Sequence, residues 1–115
     1  MSDTQTISHN FELFNISSDK NRALSSMKFI MNPIRLLILN YISRGFGFTT
    51  SELRKILDIP WATFNDHLKA LTKKALIELR SEFVNEKPAK IVTITYSGLS
   101  QLQSLGKLLS EVIQV

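Results

Sequence analysis

The stretch FTTSELRKILDIPWATFNDHLKALTKKALIELRSEFVNEKPAKIVTIT, residues 48–95, decides the fold because its apolar spacing changes character partway along. Thr49 and Glu52 form a capping-box pattern that predicts the start of a short helix. Residues 58–60, Asp-Ile-Pro, predict a turn, and a second helix is predicted from Trp61 to about Lys74. Helices joined by so brief a turn must cross at a steep angle. Their predicted buried residues are Leu53, Ile56, Leu57, Phe64, Leu68 and Leu71.

The second part of the stretch predicts two strands, because apolar residues begin to alternate after Ala75. Residues 84–89 are predicted to join the strands. A two-stranded ribbon is marginal alone, so we expect it to pack on the helices. The residues expected on one face are Ile77, Leu79 and Phe83 of the first strand and Val92, Ile94 and Tyr96 of the second.

Two helices are predicted before this stretch and one after it. The first runs from Asp19 to about Met31, and the second starts at Asn32-Pro33, a good N-cap followed by a residue favoured in the first turn. The last helix is capped by Thr95 or Ser97 and runs to about Ile113. Gly45 and Gly47 are expected to end the second helix, whose predicted buried face is Ile34, Leu37, Ile38, Tyr41 and Ile42.

These elements predict a mainly α fold with a small β-wing, which is a winged helix-turn-helix with an added C-terminal helix. We expect a flexible N-terminal arm at residues 1–18, the winged helix-turn-helix domain at residues 19–95, and a dimerisation helix at residues 96–115. The arm carries Phe11, Leu13 and Phe14. Packing of this cluster on its own domain and packing on a partner chain both stay open.

The composition narrows the class of protein. The 115 residues suit one domain, and the net charge of +4 with a pI of about 9.6 fits an anionic partner without proving one. The chain has no cysteine, which excludes disulfides and thiolate chemistry, and its only histidines are His9 and His67. No apolar run approaches membrane-spanning length. We therefore expect a cytoplasmic protein with no cofactor, no metal and no membrane partner.

Three segments carry a resemblance to a known family: NPIRLLILNYI, TTSELRKILDIPWATFNDHLKALTKKALI and KPAKIVTITYSG. The combination of His67-Leu68-Lys69-Ala70-Leu71, Leu76-Ile77 and a later Thr95 with Gly98 resembles the ArsR/MarR-type winged-helix regulators of prokaryotes, most of all the compact archaeal members. The resemblance spans residues 20–113. It implies a transcription regulator that binds double-stranded DNA as a homodimer.

The second helix of the pair is the expected recognition helix, because such helices present their N-terminal residues to base edges. Asn65 suits adenine, and Lys69 suits guanine or a phosphate. Asp66 departs from the family pattern, and it either reads cytosine, orients a lysine or points away. Trp61 is expected mainly to pack, and His67 to be structural or near a phosphate. The predicted contact residues are Trp61, Ala62, Thr63, Asn65, Asp66, Lys69 and Lys73.

Two further groups of residues are expected at phosphates. The start of the preceding helix offers N–H groups and the positive end of its dipole, and there the candidates are Thr50, Ser51 and Arg54, although simple capping also explains this pattern. The wing carries Lys87 and Lys90 with Glu86 opposing them, so it is expected to add affinity more than specificity.

The last helix is expected to form the dimer interface, because it carries more leucine than a lone domain of this size needs. Gly106 either lets two helices approach or is a tolerated weak point. The expected interface residues are Leu99, Leu102, Leu105, Leu109 and Val112.

The function that these observations favour is a homodimeric, sequence-specific transcriptional regulator on a pseudo-palindromic operator. A winged-helix module for protein interaction, or a nonspecific chromatin-like DNA binder, is the alternative. An enzyme is not expected, since no phosphate loop and no catalytic constellation occur in the sequence. The operator, the sign of regulation and any small-molecule effector stay open.

Overall fold

The computed structural model describes residues 24–45 and 47–113 of the chain. The predicted Asp19 cap, the Phe11–Phe14 cluster and His9 lie outside these residues. The described part of helix α1 is residues 24–30. The later elements are α2 (Pro33–Ser43), β1 (Phe48–Thr49), α3 (Thr50–Leu57), α4 (Trp61–Lys73), β2 (Ile77–Val84), β3 (Lys87–Ile94) and α5 (Tyr96–Ile113).

Side-chain caps set the starts of α2 and α3 as predicted. The Asn32 Oδ1 atom accepts from the backbone N–H of Ile34 at 3.0 Å, with Pro33 opening α2. The Thr49 hydroxyl accepts from the N–H of Glu52 at 3.0 Å and starts α3. α2 ends at Ser43, and Arg44 is its C-cap residue. The helix therefore ends before Gly45 and Gly47, the glycines that were predicted to end it.

The sheet has three antiparallel strands in the order β1-β3-β2, not the two that were predicted. β1 escapes prediction because two residues are too few to show an alternating pattern. The joining loop is also shorter than predicted, since pairing continues to Val84 and Lys87. Asn85 and Glu86 alone make the turn, with φ angles of 53° and 66°, as a type I′ hairpin requires.

The core lies between α2, α4, α5 and the base of the sheet. Two predicted core residues are wrong, since Leu37 is 44% exposed and Ile56 is 45% exposed. α2 contacts α3, α4, α5 and β3, so its buried side turns towards Leu39, which the predicted stripe omitted. The buried apolar residues are Ile30, Ile38, Leu39, Ile42, Leu53, Phe64, Leu68, Leu71, Leu76, Ile77, Val92 and Leu105.

The ribbon of β2 and β3 leaves this core soon after it begins. Ile77 is buried, whereas Phe83, predicted on the packed face, is 80% exposed. Tyr96 does not extend β3 as predicted, because Thr95 caps a helix there and Tyr96 becomes its first residue, 88% exposed. The wing is therefore a projecting arm with its packed part at the base.

The junction between α4 and β2 fixes where the wing projects from. Ala75 has a φ of 58°, its N–H donates to the Thr72 carbonyl at 2.9 Å, and the Leu76 N–H donates to the Leu71 carbonyl at 3.0 Å. This pair of bonds is a Schellman motif, which ends a helix in a left-handed residue. The Thr95 hydroxyl donates to the Ala75 carbonyl at 2.7 Å, so the start of α5 is tied to the same junction.

Gly98 allows this close approach, because a Cβ at that position would collide with the Leu76 carbonyl oxygen.

Over the described ranges, no helix is long and apolar enough to cross a membrane.

Candidate nucleic-acid interface

A groove of about 600 Å³ separates the exposed face of α4 from the inner face of the wing. α4 contributes most of its wall, because the buried stripe of Phe64, Leu68 and Leu71 turns the opposite side of the helix outward. The groove runs from Trp61 at the helix start to Lys73 at its end. Its lining residues are Thr50, Trp61, Asn65, Leu68, Lys69, Thr72, Lys73, Leu79 and Lys90.

The charge of this groove is uniformly positive. Lys69 and Lys73 approach it from α4, and Lys90 approaches it from β3. None of the described residues that line it carries a carboxylate. Asp66, which departs from the family pattern, is exposed but lies outside the lining, so the alternative in which it points away from the groove fits its placement. A cleft with a single sign of charge attracts a polyanion.

Four of the predicted recognition residues come together in the groove, and three do not. Trp61, Asn65, Lys69 and Lys73 line it. The others are Ala62 and Asp66, which are exposed, and Thr63, which is half-buried. Thr72 was missed, although it lies three residues after Lys69 and so on the same helix face. Its hydroxyl donates to the Leu68 carbonyl at 2.7 Å.

Trp61 both packs and forms part of the groove. Its ring stands edge-on to Phe64, with centroids 5.9 Å apart and an interplanar angle of 78°. The side chain is still 46% exposed. Packing, the main role expected for Trp61, is therefore compatible with its exposure to the groove.

Arg54, predicted at a phosphate, instead lies within the helix-turn-helix. Its Nη1 donates to the Ile59 carbonyl at 3.2 Å, and its guanidinium carbon is 5.0 Å from the centre of the Trp61 ring. The Nε atom is buried without a hydrogen-bond partner among the described residues. The Arg54 guanidinium therefore connects α3, the turn and Trp61.

A second groove, of about 370 Å³, lies between the start of α3 and the wing. Thr50 and Ser51, both predicted at phosphates, line it together with Ser81 and Lys90. Because these residues open a helix, their N–H groups lack intrahelical acceptors. Lys90 borders both grooves, so it joins them into one surface. Lys87, the other predicted wing lysine, is exposed beside the turn and lines neither groove.

The two faces of the ribbon differ in chemistry. The pairs Ser81–Lys90 and Phe83–Pro88 continue the inner face that begins at Leu79–Val92. The outer face carries Arg80 and Glu82, whose side chains approach to 3.7 Å. The two wing lysines are paired across the ribbon with uncharged residues. Lys90 lies on the inner face, opposite Ser81, and Lys87 lies at the tip, opposite Val84.

One contact that orients α4 has no signature in the sequence. The Nε atom of Arg35 donates to Nδ1 of His67 at 3.2 Å, and its Nη1 donates to the Phe29 carbonyl at 3.0 Å. Burial and the nearby Arg35 cation lower the pKa of His67 below 6.5, against the opposing charge of Asp66. His67 therefore serves as a neutral acceptor that ties α4 to α2 and α1. No cluster of metal-ligating side chains occurs within residues 24–45 and 47–113.

The predicted interface residues of α5 divide into two groups. Leu105 is 1% exposed and belongs to the core of its own chain, so its placement at an interface needs correction. Leu99 and Leu102 are half-buried. Leu109 is 36% exposed and Val112 is 67% exposed. Past Leu105, the end of the helix presents an apolar surface formed by Leu109, Val112 and Ile113.

Comparison with known proteins gives one family match and many structural matches. A family model described as a winged helix DNA-binding domain matches residues 34–113. Solved structures give 72 matching chains. A search of curated proteins gives no match.

Three of these solved structures illustrate the likeness. The transcriptional regulator homologue from Pyrococcus horikoshii OT3 is 22% identical, with a TM-score of 0.71 over 81% of this chain and 95% of its own. The transcriptional repressor BigR from Xylella fastidiosa is 20% identical, with a TM-score of 0.65 over 86% and 90%. Wild-type MarR from E. coli, in its apo form, is 16% identical, with a TM-score of 0.61 over 86% and 74%. These likenesses concern the fold, and they agree with the arrangement described above.

Proposed function

The chain belongs to the winged helix DNA-binding domain family, and from that premise we propose that it is a transcriptional regulator that binds duplex DNA as a homodimer. The observation that carries the proposal is the groove between α4 and the wing, which is lined by three lysines and by no carboxylate of the described chain. Its dimensions and charge suit a sugar-phosphate backbone running between helix and wing.

In this proposal α4 enters the major groove of the DNA. Its 13 residues give a helix about 20 Å long, and the major groove is wide enough to admit one helix. Asn65 lies in the first half of α4 and exposes an amide that suits adenine N6 and N7. Lys69 follows one turn later and suits a guanine edge or a phosphate. Trp61, locked by Phe64 and Arg54, packs at the entrance of the groove.

The backbone contacts come from the two elements that flank α4. Thr50 and Ser51 offer hydroxyl groups and helix N–H groups, which suit a phosphate oxygen. Lys90 lies opposite them on the wing and Lys73 lies at the far end of the main groove. Contacts of this kind fix the register of a protein on the duplex without reading sequence.

The proposed dimer forms through the end of α5. Val112 and Ile113 are 67% and 73% exposed, and Leu109 is 36% exposed, on a helix of 18 residues. Burying such side chains contributes roughly 1.5–3 kcal/mol each, which helps to offset the cost of association. Gly106 faces open space in the single chain, so a second helix has room there. A two-fold axis at α5 would relate two α4 helices and predict a pseudo-palindromic operator.

The proposal is tested by salt titration of the affinity for duplex DNA. Replacing Lys69 and Lys73 with Ala removes two groove cations, so affinity should fall at every salt concentration. The slope of log K against log salt should become shallower by about one for each phosphate that is no longer neutralised. The matched control is the double variant Lys28→Ala, Lys107→Ala, which makes the same change in net charge at exposed positions outside the grooves.

The control should bind nearly as the unmodified protein does, because its lysines lie away from the proposed DNA path. Equal losses of affinity in the two double variants would contradict the groove as the binding surface, since only net charge would then matter. An unmodified protein that binds no duplex at low salt would contradict the whole proposal and favour a module for protein interaction.

A further inference from the structure

The wing carries an aromatic side chain in a position that the fold does not need. Phe83 is 80% exposed, although it is the largest apolar residue of β2. It lies two residues from the Asn85–Glu86 turn and pairs in register with Pro88. The ring therefore contributes nothing to the core and is open to a ligand, and what it faces has to be read from its neighbours on the strand.

The face on which Phe83 lies is the face that lines the DNA grooves. Side chains alternate along a strand, so Leu79, Ser81 and Phe83 share one side of β2. Leu79 lines the groove beside α4, and Ser81 lines the groove beside α3. Pro88, the partner of Phe83, lines the latter groove as well. Phe83 is therefore the outward continuation of the proposed DNA surface.

The charges around Phe83 also favour DNA over a second protein surface. Lys90 lies on the same face as Pro88, two residues further along β3, whereas Lys87 lies at the turn on the opposite face. On the outer face, Arg80 is neutralised by Glu82 at 3.7 Å. The apolar area of the inner face at this height consists of one aromatic ring and one proline, next to the pair formed by Ser81 and Lys90. An interface between proteins needs a larger apolar centre than this.

We propose that Phe83, backed by Pro88, is a wedge that enters the DNA minor groove beside each half-site and opens a base step there. The inference rests on the proposed function, in which α4 occupies the adjacent major groove. The minor groove is about 6 Å wide and admits single side chains but no helix. Apolar side chains inserted between base steps kink the duplex, and pyrimidine–purine steps yield most easily. The wing would thus read the deformability of the flanking sequence.

The experiment measures DNA bending in the complex. The probe is a duplex of about 30 base pairs, long enough for a bend to be resolved, recovered by selection from a randomised library and carrying a donor and an acceptor dye at its two ends. Energy transfer at saturating protein is compared for the unmodified chain, Phe83→Ala, Phe83→Leu and Val84→Ala. Val84 is the matched control, because it is the next apolar residue of β2 and lies on the opposite face.

The unmodified protein should bend the duplex, with inserted wedges giving about 20–90°. Phe83→Ala should remove most of the bend and lower affinity about tenfold for each half-site, the size expected for one base–aromatic stack per chain. The salt slope should not change, because the substitution leaves every lysine on its phosphate. Phe83→Leu should keep part of the bend, and Val84→Ala should behave as the unmodified protein.

A Phe83→Ala complex that is bent as much as the original would overturn the wedge and leave the proposed function standing. Equal losses of bending in Phe83→Ala and Val84→Ala would also overturn it, since the face assignment would then be wrong. A change of oligomeric mass in Phe83→Ala without a change in bending would assign the ring to contact between copies of the chain. If the unmodified protein binds no duplex, the proposed function fails first and the wedge with it.

Discussion

At the scale of single residues, the orientation of α4 depends on a hydrogen bond between two side chains 32 residues apart, Arg35 and His67. Arg35 also donates to the Phe29 carbonyl, and its guanidinium lies 4.2 Å from the centre of the Phe29 ring. The bond requires neutral His67, because only an unprotonated ring nitrogen accepts a proton. Protonation would remove the acceptor and place two cations side by side.

This contact predicts a pH dependence of stability. The folded-state pKa of His67 lies below its ordinary value of 6.5, so between these two pKa values the unfolded chain binds more protons. The contribution of neutral His67 to the free energy of unfolding is therefore fully present above pH 6.5, and it is lost as the pH falls through the folded-state pKa. Urea unfolding of the unmodified chain and of His67→Gln, from about pH 5 to about pH 8, should show this decline only in the unmodified chain.

His9→Gln is the control for the other histidine, and it should keep the decline of stability at low pH. An unchanged pH profile in His67→Gln would contradict the role given to the Arg35 contact. The sequence placed His67 correctly on a helix beside Leu68, but nothing in it identified Arg35 as the partner. A contact over 32 residues depends on how helices pack, and periodicity in one helix does not specify that.

At the scale of elements, the sequence predicted features that depend on neighbouring residues, and it missed features that depend on contacts between distant elements. The caps at Asn32 and Thr49 were predicted because each depends on a side chain and the few residues after it. β1 was missed because its two residues become a strand only by pairing with Val92 and Ile91. The tight turn at Asn85 and Glu86 was missed because the second position of such turns usually holds glycine.

The junction from α4 to β2 carries a prediction of its own. Ala75 holds the left-handed position of the Schellman motif, where a Cβ is unfavourable and glycine is preferred. Ala75→Gly should therefore raise the free energy of unfolding by about 0.5–1 kcal/mol despite the greater freedom of glycine when unfolded. Chemical denaturation at neutral pH measures the change.

The matched control is Ala70→Gly, the same substitution within α4 at a right-handed position. It should lower the free energy of unfolding by about 1 kcal/mol, as glycine does inside a helix. Destabilisation of similar size by both substitutions would contradict the left-handed assignment of Ala75. The direction in which β2 leaves the end of α4 would then differ from the one described.

At the scale of the whole molecule, the predicted winged helix-turn-helix fold is confirmed, and the chain belongs to the winged helix DNA-binding domain family. The site was predicted in part, since amphipathicity identifies the outer side of α4 but not which outer residues face the wing. Lys69 and Lys73 face it, whereas Ala62 and Asp66 do not line the groove. Lys90 was found from charge alone, and its place beside Thr50 depends on where the α4–β2 junction sends the ribbon.

Helix α5 shows the same division. The leucine stripe of α5 was predicted from the sequence, but the sequence does not show which of its leucines pack into the core of the same chain. Leu105 and the half-buried Leu102 pack there, and this leaves the last turns of the helix for a partner. The two proposals, DNA binding by α4 and dimerisation by α5, therefore use separate elements. A single experiment can test them together.

That experiment is selection of duplexes from a randomised library by the unmodified protein, followed by salt titration of the enriched sequences. We expect an enriched pseudo-palindrome with half-sites about 34–36 Å apart, one turn of the DNA helix, and a steep fall of affinity with salt. An enriched single half-site without its mirror image would contradict the dimer. Binding without enrichment would contradict a sequence-specific regulator. The absence of binding at low salt would show that α4 and the wing do not form a DNA-binding surface.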